Sequence, residues 1–139
     1  MTGRRKTVQV RRQEAPQFLG KAAQFADAAR SSLESDRRDA ALLDSVHAVI
    51  SAADAVTAGL AGVRSADPDH QRSFDLLEEV VGSSAAVRVH VRQARTLLAK
   101  KNVVEYESRR ATAREAADAV ARAERFVAWA GEVVGRAAV

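Results

Sequence analysis

Lys100-Lys101-Asn102-Val103-Val104-Glu105-Tyr106-Glu107-Ser108-Arg109-Arg110-Ala111-Thr112-Ala113-Arg114-Glu115 is the stretch whose reading decides the fold. Upstream of it, Val87, Val91, Ala94 and Leu98 recur at the three- and four-residue steps of one helix face. Lys100, Lys101 and Asn102 then suit a helix C-terminus, where cations meet the negative end of the macrodipole and Asn tolerates the cap conformation. Thr112 with Glu115 three residues later is a capping box, in which each side chain satisfies the other residue's backbone N–H. Beyond it Ala116, Val120, Ala123, Val127, Ala130 and Val134 form a second stripe, with Phe126 and Trp129 beside it. One helix therefore ends and another begins within a single polar stretch. Connections this short make the two helices antiparallel neighbours.

Three further helices precede this pair. The first is predicted over about Pro16–Leu33, with Pro in the opening turn and Phe18, Ala22, Phe25, Ala29 and Leu33 as its stripe. The second spans about Arg37–Leu60, with Ser35 or Asp36 as N-cap and Gly62 as stop; Leu42, Val46, Val49, Ala53, Val56 and Leu60 form its core face. A shorter third helix, about Pro68–Val81, takes Asp67 as N-cap and ends at Gly82, after which Ser83 or Ser84 caps the fourth. Thr7-Val8-Gln9-Val10 alternates but is too short to support a sheet alone. The predicted fold is all-α: an up-and-down bundle of four long helices and one shorter one.

Composition agrees. Ala and Val dominate an apolar share of 47%, aromatics reach only 4%, and there are 7 Gly and 2 Pro. Alanine has no side-chain entropy to lose in a helix, whereas strands favour aromatic and β-branched residues. The 139 residues suffice for one domain with a real core. The lack of cysteine excludes disulfides, thiolate catalysis and Cys-ligated zinc. No uninterrupted apolar run approaches the ~18 residues of a transmembrane helix, and the expectation is a cytoplasmic protein that does not engage membranes.

The net charge of +4 is unevenly placed. Arg4, Arg5, Lys6, Arg11 and Arg12 precede the first acidic residue, so residues beyond 12 carry a net charge of −1. Residues 1–14 read as a basic, flexible tail and 15–139 as the domain. The high pI belongs to the tail, and a solvated terminus explains it better than a nucleic-acid contact does.

Two polar constellations stand out. On the second helix Asp44, His47, Ser51 and Asp54 share a strip beside the apolar face, and a carboxylate there is costly to bury without cations or donors. At the junction, Asn102 and Tyr106 share one face while Lys101 and Glu105 share the next. Lysine supplies a point cation for phosphate, asparagine a donor and an acceptor, and tyrosine a hydroxyl with a stacking face. Capping accounts for Lys100 to Asn102 but not for the tyrosine. Asp54, Lys101, Asn102 and Tyr106 are therefore the predicted pocket, with His47, Arg109 and Arg110 as secondary candidates. Arg88, Arg92 and Arg95 form a ridge at i, i+4 and i+7 that reads first as a solvated face. Asp44-x-x-His47 and Asp67-x-x-His70 have the spacing of bundle metal ligands, but Asp67 is better used as a cap and no metal or cofactor is expected.

Lys101-Asn102 with Glu105-Tyr106, the Thr-capped helix with Glu115-Ala116 and Ala119, and the run Ala48 to Ala55 together resemble HEPN domains. The resemblance covers roughly residues 15–135. It implies a small helical bundle, often a homodimer, with a polar motif facing a cleft between protomers. It also implies a metal-independent ribonuclease class, found in toxin–antitoxin and defence systems, that uses an arginine and, four to six residues on, a histidine. Here those positions are Lys101 and Tyr106. A lysine holds phosphate without a bidentate fork, and a tyrosine near its reference pKa of ~10 is a poor base at neutral pH. The expectation is a module that binds nucleotide, RNA or a cognate protein partner and has lost the family's catalysis. The alternatives are an active endoribonuclease, using Lys101 and Tyr106 or the Arg64/His70 pair, and a purely structural oligomerisation bundle.

Overall fold

The computed structural model describes residues 6–138, and its helices are α1 (Ala15–Glu34), α2 (Arg38–Ala61), α3 (Gln71–Val81), α4 (Ala85–Tyr106) and α5 (Ala113–Ala137). α2 is the central member and packs against the other four helices, while α5 also covers α1 and α4. The bundle is all-α apart from one ribbon of two three-residue strands, β1 (Thr7–Gln9) and β2 (Val63–Ser65).

The predicted stripes point inward. Val87, Val91, Ala94 and Leu98 of α4 are all buried, as are Ala116, Val120, Ala123, Ala130 and Val134 of α5. α2 departs from a single stripe. Ala41, Ala48, Ala52, Ala55 and Ala58 are buried together with Leu42, Val46, Val49, Ala53 and Val56, because α2 has neighbours on several sides. By length and composition α2 could cross a membrane, yet most of its apolar segment lies inside the bundle. Between α3 and α5 the core is aromatic: Phe74 meets Phe126 edge-on at 6.1 Å, and Phe126 lies 5.4 Å from Trp129. Burying each such ring contributes about 1.5–3 kcal/mol.

Caps locate the helix ends. Thr112 Oγ1 accepts from the Glu115 N–H at 3.1 Å and Glu115 Oε1 accepts from the Thr112 N–H at 2.9 Å, completing the capping box. Gly62 closes α2 in the left-handed conformation (φ 66°), and a Cβ there would stand 3.3 Å from the Val10 carbonyl oxygen. The expected Asp36 cap of α2 is not made. Asp36 instead takes φ 58° after α1, a conformation aspartate tolerates, and accepts from Arg38 Nε at 2.9 Å. Arg37 becomes the N-cap residue of α2, and its side chain makes no capping hydrogen bond.

The structure revises the reading of the N-terminal segment. Residues 1–5 lie outside the described residues, but Thr7, Val8 and Gln9 pair antiparallel with Ser65, Arg64 and Val63, and the Val10 N–H donates to the Gly62 carbonyl at 3.0 Å. A single-turn 3-10 helix over Arg12–Glu14 then leads into α1. The strand that Thr7 to Val10 lacked is supplied by the chain leaving α2.

Candidate functional site

Helix α3 begins three residues later than the sequence suggests, and that delay creates the site. Pro68 does not open the helix. The Asp67 N–H donates to Ser65 Oγ at 3.3 Å, the Asp69 N–H to Asp67 Oδ1 at 2.9 Å, and the Gln71 N–H to Asp69 Oδ1 at 3.0 Å. Aspartates that bond backbone two residues on favour a turn over a helix. The result is an irregular segment laid across the C-terminal turns of α4.

Arg95 ties the first turns of α3, which follow that segment, to α4. Its Nη1 donates to the carbonyl oxygen and to Oε1 of Gln71 at 3.2 and 3.0 Å, and its Nη2 donates to Asp75 at 2.6 Å and to Glu78 at 3.4 Å. The guanidinium also lies 6.0 Å from the Phe74 ring centroid. The expected ridge of Arg88, Arg92 and Arg95 is thereby broken. Arg88 and Arg92 are exposed, while Arg95 is turned onto α3.

Between the turn and α4 lies an open cavity of about 270 Å³. Its polar lining is His70, Asp69 and Gln71 on one side and Lys101, Asn102 and Tyr106 on the other, with Pro68, Leu98 and Ala99 as apolar wall. The structure thus places Lys101, Asn102 and Tyr106 around one space. Lys101 is half-buried and pairs with Glu105 at 3.5 Å, so its charge is partly offset on its own helix. Tyr106 is 78% exposed, which no core or capping role explains.

His70 is the member that sequence reasoning set aside. Its imidazole pKa is held below the usual 6.5, first by burial, then by electrostatic opposition from Lys101 and His47; Asp69 and Glu105 pull the other way. At neutral pH it is therefore an uncharged imidazole, able to accept or donate one proton. Asp67, Pro68 and Asp69 just before it were the available signal, since they mark a turn that carries His70 off the helix.

The other candidates lie elsewhere. Asp54 does not line the cavity. It is half-buried where α2 meets α1 and β2, and burial raises its carboxyl to about 6, offset in part by attraction to Arg64 and Lys21. His47 is exposed on α2 with its ring centroid 5.2 Å from that of Phe25. Arg109 grips Glu115 through two donors at 2.7 and 2.9 Å, and Lys100 adds a third contact at 3.3 Å. The Glu115 carboxyl is accordingly held far below the usual carboxylate range, chiefly by Arg109 and then by the Thr112 N–H. Arg109 therefore locks the α4–α5 turn. Arg110 lines a separate open depression beside Arg37, Arg38 and Asp39, where Asp39 accepts the Ala111 N–H at 2.8 Å.

Among the described residues, no three His, Asp or Glu side chains converge as metal ligands would. A family model for the HEPN domain matches residues 15–133. No curated protein matches the chain.

Proposed function

We propose that this chain, which belongs to the HEPN domain family, is a binding module that holds a phosphate of RNA or of a nucleotide in the cavity between the His70 turn and α4. The observation that carries this reading is the meeting of Lys101, Asn102, Tyr106 and His70 around one open space. Lysine supplies the cation, Asn102 and the Tyr106 hydroxyl supply directional donors, and the neutral His70 adds one more without repelling Lys101. Glu105 opposes anion binding from the next turn, so the site favours a ligand with more than one anchoring point. HEPN domains often bind RNA or act as nucleases, and the Lys101 and Tyr106 replacements favour binding over cleavage here. Titration of a nucleotide and short-RNA panel into wild type, Lys101→Ala and Tyr106→Phe tests it. Unchanged affinity in both variants would refute the pocket.

One observation favours a second reading, a metal-independent endoribonuclease of toxin or defence type. His70 stands where it could take the proton of an RNA 2′-hydroxyl while Lys101 steadies the phosphate that hydroxyl attacks. RNA cleavage in EDTA that His70→Ala abolishes would establish it, and no cleavage at high protein concentration would retire it. Homodimerisation belongs to the same proposal: exposed Tyr106, at the rim of an open cavity, is a surface that a second copy would cover. Light scattering across concentration, with Tyr106→Ala as comparison, checks it.

A further inference from the structure

α5 packs chiefly on α2 and α1 and meets α4 less closely, which leaves a groove along the α4–α5 seam. The two helices run antiparallel there. His90 stacks on Trp129, Gln93 Oε1 accepts from Arg125 Nη2 at 3.4 Å, and Lys100 Nζ lies 3.3 Å from Glu115 Oε2. Toward the Lys100 end the groove deepens to a cavity of about 230 Å³, which shares no residue with the His70–Lys101 cavity. Buried Leu97 and Ala119 form its floor, and Val89, one turn from Gln93 on the same side of α4, is 48% exposed.

The charges along this stretch are unevenly satisfied. Its carboxylates are engaged: Glu115 by Arg109 and Lys100, Asp118 by Arg122 at 2.7 Å, and Glu124 by Arg30 on the far side of α5. Arg88, Arg92 and Arg114, all exposed, form no ion pair among the described residues. The free charge is therefore positive, and it flanks an apolar floor. That arrangement complements an amphipathic helix, whose apolar face enters the groove while carboxylates beside that face meet the arginines. Single-stranded RNA fits less well. Glu115 and Asp118 would face its phosphates, and the nearby indole that could stack a base, Trp129, is buried against His90.

We propose that the α4–α5 groove docks an amphipathic helix of an acidic protein partner. An apolar side chain of that helix enters the cavity over Leu97 and Ala119, while its carboxylates reach Arg92 and Arg114.

The probe is a fluorescein-labelled peptide of about 18 residues, long enough to hold a helix in water, with leucines at i, i+3, i+4 and i+7 and glutamates beside them. Fluorescence anisotropy follows its titration with the full chain. Wild type should bind it about tenfold more tightly than a peptide of the same length with a central proline, and than one with lysine for each glutamate. Arg92→Glu and Arg114→Glu should each weaken binding about tenfold. Arg136→Glu, in the last turn of α5, should leave it unchanged. All three side chains are exposed, so the variants should fold, which circular dichroism verifies. Amide NMR shifts caused by the peptide should fall on α4 and α5 along the groove. Equal binding of the helical and proline-broken peptides, an equal loss in Arg136→Glu, or shifts elsewhere on the bundle overturns the docking site. A peptide that fails to bind, with short RNA that binds and is weakened by Arg92→Glu, gives the groove to nucleic acid and overturns the proposal. Failure of the peptide together with self-association that Arg92→Glu abolishes in light scattering gives the groove to a second copy, and overturns it likewise.

Discussion

Replacing Asp54 with asparagine should stabilise this protein, and the gain should depend on pH in a defined direction. Asp54 sits half-buried on α2 with its carboxyl raised from 3.8 to about 6, burial outweighing the pull of Arg64 and Lys21. Between those two pH values the folded chain holds a proton that the unfolded chain has released, so stability falls as pH rises through that window. Above about pH 6 both states are ionised and the penalty is constant; below about pH 4 both are protonated and it vanishes. At 1.36 kcal/mol per pH unit, a rise from 3.8 to about 6 corresponds to about 3 kcal/mol. Because water reaches part of the side chain, screening should reduce this to about 1–2 kcal/mol at pH 7.5. Urea unfolding of wild type and Asp54→Asn, followed by circular dichroism at pH 4.5 and 7.5, measures the difference at each pH. The advantage of Asp54→Asn should grow by about 1 kcal/mol between the two. An advantage independent of pH would show that Arg64 and Lys21 cancel burial, a variant less stable than wild type at pH 7.5 would show that they outweigh it, and either would refute the reasoning.

Substitutions at three other positions read different parts of the molecule. Glu105→Gln removes the carboxylate that competes for Lys101, and affinity for inorganic phosphate or AMP should rise about two- to fivefold, a gain that added salt diminishes. Arg95→Ala should cost about 2–3 kcal/mol in urea unfolding and selectively speed amide exchange in α3, with Arg95→Lys intermediate because lysine lacks the planar fork. His90 stacks on Trp129 at 4.8 Å with 16° between planes, and its pKa is lowered mainly by burial. Emission of this single tryptophan should therefore fall on acidification with a midpoint below 6.5, and His90→Ala should remove the transition.

The helices were legible in the sequence because their information is local. Stripes at three- and four-residue steps, Gly62 at a stop and the Thr112–Glu115 box each involve residues within a few turns of one another. What stayed hidden depends on distant partners. The Thr7 to Gln9 strand has no meaning until Val63–Ser65 is beside it. The Asp67 to Asp69 turn is the exception, a local signal outweighed by the likeness of Asp67-Pro68 to a helix start. Arg95 shares a helical stripe with exposed Arg88 and Arg92, and nothing within α4 reveals that Asp75 and Glu78 draw it away. Of the predicted pocket, Lys101, Asn102 and Tyr106 share a helix end and could be grouped by spacing. The position of Asp54 was not readable, because helix-face geometry fixes a direction around α2 but not the neighbour met there. Arg109 looked like spare charge because its partner Glu115 was already assigned to a cap.

The alanines of α2 limit how this protein can change. Ala41, Ala48, Ala52, Ala55 and Ala58 are each fully enclosed, with other helices pressed close over them. A methyl group is the largest side chain such close contacts accept, and adding even one or two carbons would push helices apart at a cost of about 1–3 kcal/mol. Variation that enlarges side chains is thus barred from the centre of the bundle, whereas the 66–70 turn and the exposed end of α4 can be rewritten without disturbing it. A lineage built on this scaffold would keep its frame nearly constant while the ligand it recognises drifts.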